Sequence, residues 1–341
     1  MQRAGSIAYR STDSHSHRQQ SMNPPRFFVL AGLYLAASLS HAAGITFIDI
    51  PADKDGPPLR GAVWSPCSMP AEKIVLGPLV IDAVKNCPLS GERLPLVVIS
   101  HGTGGSFLGH HDTAAALADA GFVVAAISHP GDNFQDRSRQ THLSVFATRP
   151  NDMKRLLDYM LASWQGHDKL DTARIGIFGF SRGGYTALAA IGSVPNWTIR
   201  KDLCPPGSTI PACEEISRKE FPAPPVPDPR IKAAVIADPL NFFDAQGLKQ
   251  VTIPIQLWAS AYGGDGVTPQ TVAALRHALP VAQEWHVAAN AAHFAFLAPC
   301  TPALASASPV ECRDDPGFNR VSFHAMFDVR VVRFFERSLG R

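Results

Sequence analysis

Ser181 stands in the run Gly179-Phe180-Ser181-Arg182-Gly183, and its surroundings are those that turn a hydroxyl into a nucleophile. A serine alcohol attacks a carbonyl poorly at neutral pH, so a base must take its proton and return it to the leaving group. His293, in Ala291-Ala292-His293-Phe294-Ala295-Phe296-Leu297, is the candidate base. A carboxylate must then fix the imidazole tautomer and stabilise its charged form. Two aspartates qualify, Asp238 before Pro239 and Asp265 within Gly263-Gly264-Asp265-Gly266. Charge developing on the attacked oxygen needs donors, and the backbone amides of Thr103 and Arg182 are the candidate oxyanion hole. The chain order Ser, Asp, His is the order that goes with a serine on a strand-to-helix elbow.

That chemistry requires elements to hold it. Ile175 to Phe180 is an apolar run of strand length, and Tyr185 to Ile191 reads as a helix. A tight turn between them needs glycine two residues before and after the serine, where a side chain would strike neighbouring backbone. Leu94 to Ser100 is a second apolar strand that runs into the glycine-rich loop His101 to Ser106. A helix from Asp112 to Ala120 and a strand from Phe122 to Ser128 follow, which implies parallel pairing with a crossover. Upstream, Ile45 to Ile50 and Leu59 to Trp64 pattern as strands joined by a polar turn, and Cys67 to Arg93 reads as irregular.

Downstream, helix Asn151 to Ser163 precedes the Ser181 strand, and strands Lys232 to Ala237, Ile253 to Ser260 and Glu284 to Ala289 follow, with helix Thr271 to Ala278 among them. Arg320 to Leu339 closes the chain as an amphipathic helix. The candidate residues all fall just after strand ends, where open doubly wound sheets bind ligands. The expected fold class is therefore α/β, a doubly wound, mostly parallel sheet in a single domain over 44–341. A lid-like, disulfide-braced insertion is expected at 194–229, where Cys204, Cys213 and the prolines from Pro222 to Pro229 resist regular structure.

The chain has 341 residues, 45% hydrophobic and 18% charged, with a net charge of +2, a profile of globular protein that argues against a nucleic-acid partner. Residues 1–43 read as an N-terminal extension and signal peptide. Arg26 precedes an apolar run from Phe27 to Leu39, too short to span a bilayer, and Ser40-His41-Ala42 offers small residues for cleavage. Met22 would open a signal of more ordinary length. A periplasmic or secreted location follows as an expectation, with no stable membrane span after cleavage. In an oxidising compartment the six cysteines favour disulfides, and proximity pairs Cys67 with Cys87, Cys204 with Cys213 and Cys300 with Cys312.

Other histidines have structural readings. His101 frames the glycine-rich loop, and His129 is a structural hydrogen-bond former. His110, His111 and Asp112 suggest a metal site, but Asp112 opens an alanine-rich helix and no further ligand is evident, so a helix cap is expected, with no metal and no cofactor.

The runs S-H-G-T-G-G-S at 100–106, A-L-A-D-A-G-F-V-V-A-A-I-S-H-P-G-D at 116–132, G-F-S-R-G-G at 179–184 and A-A-H-F-A-F-L at 291–297 together resemble the α/β-hydrolase superfamily. Within it the chain is similar to bacterial predicted dienelactone hydrolases, related to platelet-activating-factor acetylhydrolases. In those acetylhydrolases the acid follows the strand after the elbow, where Asp238 stands. In most other α/β-hydrolases it follows the next strand, where Asp265 stands. Asp238 is the preferred acid here, since Pro239 should hold its backbone extended. True dienelactone hydrolases use a cysteine nucleophile and are cytosolic, so the resemblance does not name a substrate.

A serine hydrolase of carboxylic esters, acting on a small-molecule or lipid-derived substrate through a Ser-His-Asp triad and an acyl-enzyme, is the expected function. The alternatives are a binding protein on a hydrolase fold that has lost catalysis, or a serine peptidase.

Overall fold

Continuous apolar runs make the centre of the sheet, because a strand covered on both faces has no solvent side to keep polar. The computed structural model describes residues 43–340, so the candidate signal segment lies outside the described residues. The strands are β1 (Gly44–Ile50), β2 (Leu59–Ser65), β3 (Glu72–Leu76), β4 (Leu79–Lys85) and β5 (Leu94–Ser100). After these come β6 (Val123–Ser128), β7 (Leu170–Phe180), β8 (Ile231–Ala237), β9 (Ile255–Ser260) and β10 (Gln283–Ala288). They form one sheet in the order β10-β9-β8-β7-β5-β6-β2-β1-β4-β3. Every neighbour from β10 to β6 is parallel, while β2 runs antiparallel to both β6 and β1.

The longer helices are α1 (His111–Asp119), α2 (Ser144–Ala162), α3 (Arg182–Ala190) and α4 (Pro211–Arg218), and α5 (Ala245–Leu248) is a single turn. Then come α6 (Pro269–Ala278), α7 (Pro302–Ala307) and α8 (Arg320–Leu339). Alternate side chains of each central strand enter different cores. Leu96 and Val98 of β5 belong to the core that holds Met153 and Leu156 of α2, Leu188 of α3 and Leu275 of α6. Val97 and Ile99 face the other way, into the core of Leu117 from α1 and Phe327, Val331 and Phe335 from α8. On that side α8 approaches β7 so closely that a Cβ on Gly176 would lie 2.5 Å from the Phe335 ring. The expected doubly wound, mostly parallel sheet is therefore present.

Three segments differ from expectation. Residues 67–93 carry the hairpin β3–β4, which adds to the sheet through parallel pairing of β4 with β1. Its outer strand is exposed or half-buried throughout and pairs only with β4, so the short run Ile74-Val75-Leu76 does not by itself announce a place in the sheet. Helix α2 begins at Ser144, ahead of the expected Asn151, and contains Pro150. Burial of Val145, Phe146 and Arg149 holds the turns ahead of the proline, where tertiary contacts outweigh its missing N–H. Segment 194–229 contains α4, tied to the start of α2 by Glu215, whose carboxylate accepts from the Leu143 amide at 2.7 Å.

All three local disulfides are closed, Cys67 to Cys87, Cys204 to Cys213 and Cys300 to Cys312. Non-reducing peptide mapping of protein from an oxidising compartment should recover these pairs and no free thiol, and a Cys67 to Cys300 peptide would refute the pairing. Each loop should contribute about 2 to 4 kcal/mol by limiting the unfolded chain. Reduction should therefore lower the denaturation midpoint without changing the fold. No helix among the described residues is long and apolar enough to cross a membrane.

Candidate active site

Ser181 lies between the end of β7 and the start of α3 with φ 56° and ψ −120°, a conformation costly for any residue with a Cβ. The chain reaches it because glycines flank the turn. A Cβ on Gly179 would lie 2.1 Å from the Gly183 carbonyl oxygen, and one on Gly183 would lie 1.9 Å from that of Ser100. The Ser181 amide donates to the Ala237 carbonyl at 3.0 Å, which ties the elbow to the end of β8.

The sheet brings together the three residues the sequence singles out. His293 Nε2 is 2.9 Å from Ser181 Oγ, and His293 Nδ1 is 2.7 Å from Asp238 Oδ2. A carboxylate only accepts, so Nδ1 carries the proton and Nε2 is free to accept from the serine hydroxyl. All three are almost fully buried, at 2%, 0% and 1% exposure for Ser181, Asp238 and His293. Asp238 is further held by the Ser260 amide at 2.9 Å and the Ser260 hydroxyl at 2.7 Å. The Phe180 ring stacks on His293 at 4.7 Å between centroids.

The expected reason for choosing Asp238 needs correcting. Its backbone is not extended but left-handed, with φ 44°. The Pro239 ring is therefore not what steadies it. Ser260 does so, together with the donation from the Asp238 amide to the Trp258 carbonyl at 2.9 Å, and these tertiary contacts outweigh the local preference of a residue before proline. Asp265 is exposed, lines the cleft above the serine and makes no hydrogen bond to His293. Its loop nevertheless positions the histidine, since the Gly263 carbonyl accepts from the His293 amide at 2.8 Å.

The candidate oxyanion donors belong to the two segments that flank the serine. Thr103 lines the cleft beside Ser181, and Arg182, as the first residue of α3, has an amide without an intrahelical acceptor. Behind them lies a buried charge cluster. Asp132 Oδ1 accepts from the Gly104 amide at 3.1 Å, and its Oδ2 accepts from Arg149 at 2.5 Å and from Arg182 at 2.9 Å. Arg149 also donates to the His101 carbonyl and to Thr186 Oγ1, so one guanidinium joins the glycine-rich loop to α3. Burial lowers the Arg149 pKa to about 10. Burial pushes the Asp132 carboxyl up, but Arg149 and Arg182 more than offset this and hold it below its ordinary range.

His101 and His129 take the structural roles expected of them. The His129 amide donates to His101 Nε2 at 3.0 Å, so the His101 proton is on Nδ1, which donates to the Gly102 carbonyl at 2.6 Å. Burial lowers the His101 pKa to about 3, so this ring stays neutral. Ser100, His129 and Asp152 repeat the serine-histidine-aspartate pattern, at 3.0 Å for each link. Ser100 and His129 are fully buried and neither lines the cleft, so no ester reaches this second relay. Burial raises the Asp152 pKa to about 7 and drives that of His129 well below its usual value.

Ser181 opens into a cleft of about 710 Å³. Phe47, Phe107, Phe134, Phe294 and Leu297 contribute to its apolar walls. Segment 194–229, expected to act as a lid, supplies none of the lining; the β3–β4 turn at Pro78 and Leu79 and the Cys300–Cys312 loop do. The disulfide-braced insertion packs instead against the start of α2, through Glu215.

The sheet order and the overall course of the chain have counterparts in solved structures. A ferulic acid esterase from Streptomyces cinnamoneus superposes with a TM-score of 0.62 at 21% identity, covering 90% of this chain and 92% of that one. The chain has the α/β-hydrolase fold. A dienelactone hydrolase from Anabaena variabilis shares that fold with a TM-score of 0.51 at 14% identity, over 87% of this chain and 99% of that one. The family model for platelet-activating factor acetylhydrolase, isoform II, matches residues 63–151. No curated protein matches the chain. The matched stretch of this α/β-hydrolase fold holds the glycine-rich loop, Asp132 and Arg149, and stops short of Ser181.

Sequence reasoning does not single out Arg149, Ser260 or Phe180 as parts of the site. Arg149 precedes Pro150 and so reads as loop, and Ser260 reads as no more than a strand end. Asp132 is legible as a polar residue in a loop after a strand, but its two arginine partners are not.

Proposed function

We propose that the protein is a serine hydrolase of carboxylic esters. The observation that carries this reading is the Ser181–His293–Asp238 relay, with contacts of 2.9 Å and 2.7 Å, whose serine opens into a cleft. Ser181 Oγ attacks the ester carbonyl as its proton passes to His293 Nε2, and Asp238 stabilises the imidazolium. The amides of Thr103 and Arg182 receive the oxyanion. Collapse expels the alcohol, which takes the proton from His293 and leaves an acyl-serine. Water then adds to that acyl group with His293 again as base, and the acid departs.

The aromatic walls suit an apolar acyl or alcohol group, in a small-molecule or lipid-derived ester. The neighbour named as a ferulic acid esterase adds an aromatic acyl group as a candidate within that class. Three closed disulfides and the apolar segment before residue 43 support a periplasmic or secreted location. A fluorophosphonate probe should label folded protein stoichiometrically on Ser181, and p-nitrophenyl esters of rising chain length together with a feruloyl ester should define the acyl preference. Absence of labelling on folded protein would leave a fold without its chemistry and end this reading.

A further inference from the structure

Asp112 does not cap α1. The residue ahead of the helix is His110, which makes no side-chain capping bond, and its ring packs against Phe178 and Phe180. Asp112 instead faces α8, where His324 and Asp328 stand four residues apart on one side of the helix. One ligand-type atom from each of the three residues lies within 4.8 Å of the others.

The histidine shows what this cluster is built to hold. His324 is 2% exposed, and its Nε2 donates to the Ala295 carbonyl at 2.9 Å. That donation puts the proton of the neutral ring on Nε2 and a lone pair on Nδ1. Nδ1 lies 2.6 Å from Asp112 Oδ2 and has no other partner. Two acceptors brought face to face in a buried place repel unless a cation joins them. A second proton on His324 would satisfy Asp112 alone and leave the neighbouring Asp328 carboxylate without a counter-charge. A divalent ion would answer both carboxylates at once. Asp328 is oriented separately, because Thr113 donates to its Oδ1 at 2.7 Å. No arginine or lysine forms an ion pair with Asp112 or Asp328 among the described residues.

We infer that Asp112, His324 and Asp328 form a binding site for a divalent transition metal ion of the zinc type. Imidazole nitrogen with two carboxylates is a donor set such ions accept, and it leaves a position for water. The supporting contacts of His324 and Asp328 fit as well, since metal-ligating histidines donate their other N–H to a carbonyl and ligating carboxylates accept from a neighbouring donor, as Asp328 does from Thr113. A recess of about 450 Å³, bordered by Ala116, Asp328, Val329 and Arg333, reaches the Asp328 side of the cluster from solvent. The role is structural. The ion would clip α1 to α8 and, through the His324 bond to Ala295, brace the turn His293–Phe296 that carries the candidate base.

The test uses full-length folded protein, freed of any tag and of metal by chelator, and titrated with Zn²⁺ by calorimetry and thermal denaturation. Wild type should bind one ion at this site, and zinc at 100 times its Kd should shift the unfolding equilibrium about 100-fold toward the folded state. Asp328→Asn, a change outside the catalytic relay, should weaken binding at least about tenfold and remove most of that shift while leaving the metal-free protein folded. Asp112→Asn should do the same. Absence of saturable binding by wild type would overturn the proposal in favour of a protonated His324–Asp112 ion pair. Binding undiminished in both variants would overturn it in favour of a site elsewhere.

Discussion

Ser181→Ala should reduce kcat for ester hydrolysis on the order of 10^6-fold while leaving the circular dichroism spectrum and the thermal midpoint close to wild type. The serine hydroxyl contacts His293, and the elbow itself rests on backbone bonds and on the glycines at 179 and 183, none of which the substitution touches. His293→Ala should be about as severe, because members of a catalytic unit fail together rather than additively. Purified Ser181→Ala that turns over at near wild-type rate would dispose of the triad. A comparable loss in a variant of Ser100, with Ser181 intact and the fold unperturbed, would instead point to the buried relay.

The second large effect concerns the orienting acid. Asp238→Asn should lower kcat by about 10^4, since an amide keeps the shape but loses the charge that stabilises the imidazolium and can present an N–H to His293 Nδ1. Asp265→Asn should lose far less, because Asp265 is exposed and its loop holds His293 through the Gly263 carbonyl rather than through the carboxylate. Steady-state kinetics on both variants with one p-nitrophenyl ester decide between them. If Asp265→Asn proves the crippled one, the acid moves to the later strand while the roles of Ser181 and His293 stand. Asp238 is also bonded to Ser260, so Ser260→Ala should show a smaller fall in kcat with little change in KM.

Much of this is legible in the chain because it is encoded locally. Apolar runs such as Leu94 to Ser100 and Ile175 to Phe180 specify strands buried on both faces, whatever they pack against. The glycines around Ser181 specify an elbow because only residues without a Cβ fit beside the Gly183 and Ser100 carbonyls. The nearness of paired cysteines along the chain specifies the disulfides, since short loops cost least to close. Strand and helix order then implies the parallel sheet and with it the edge at which Ser181, Asp238 and His293 gather.

What tertiary structure alone decides are the partnerships between residues far apart in sequence. Nothing near Asp238 in the chain shows that Ser260 holds it or that its backbone turns left-handed, and the Pro239 rule points to the opposite conformation. Arg149 and Asp132 meet only because α2 packs beneath the glycine-rich loop. Asp112 reads as a helix cap until α8, at the far end of the chain, places His324 and Asp328 against it. Hydrophobic period and glycine sterics act over a few residues and so can be read from the chain. Charge pairing acts through space, and only the packed sheet and its helices bring those charges within reach.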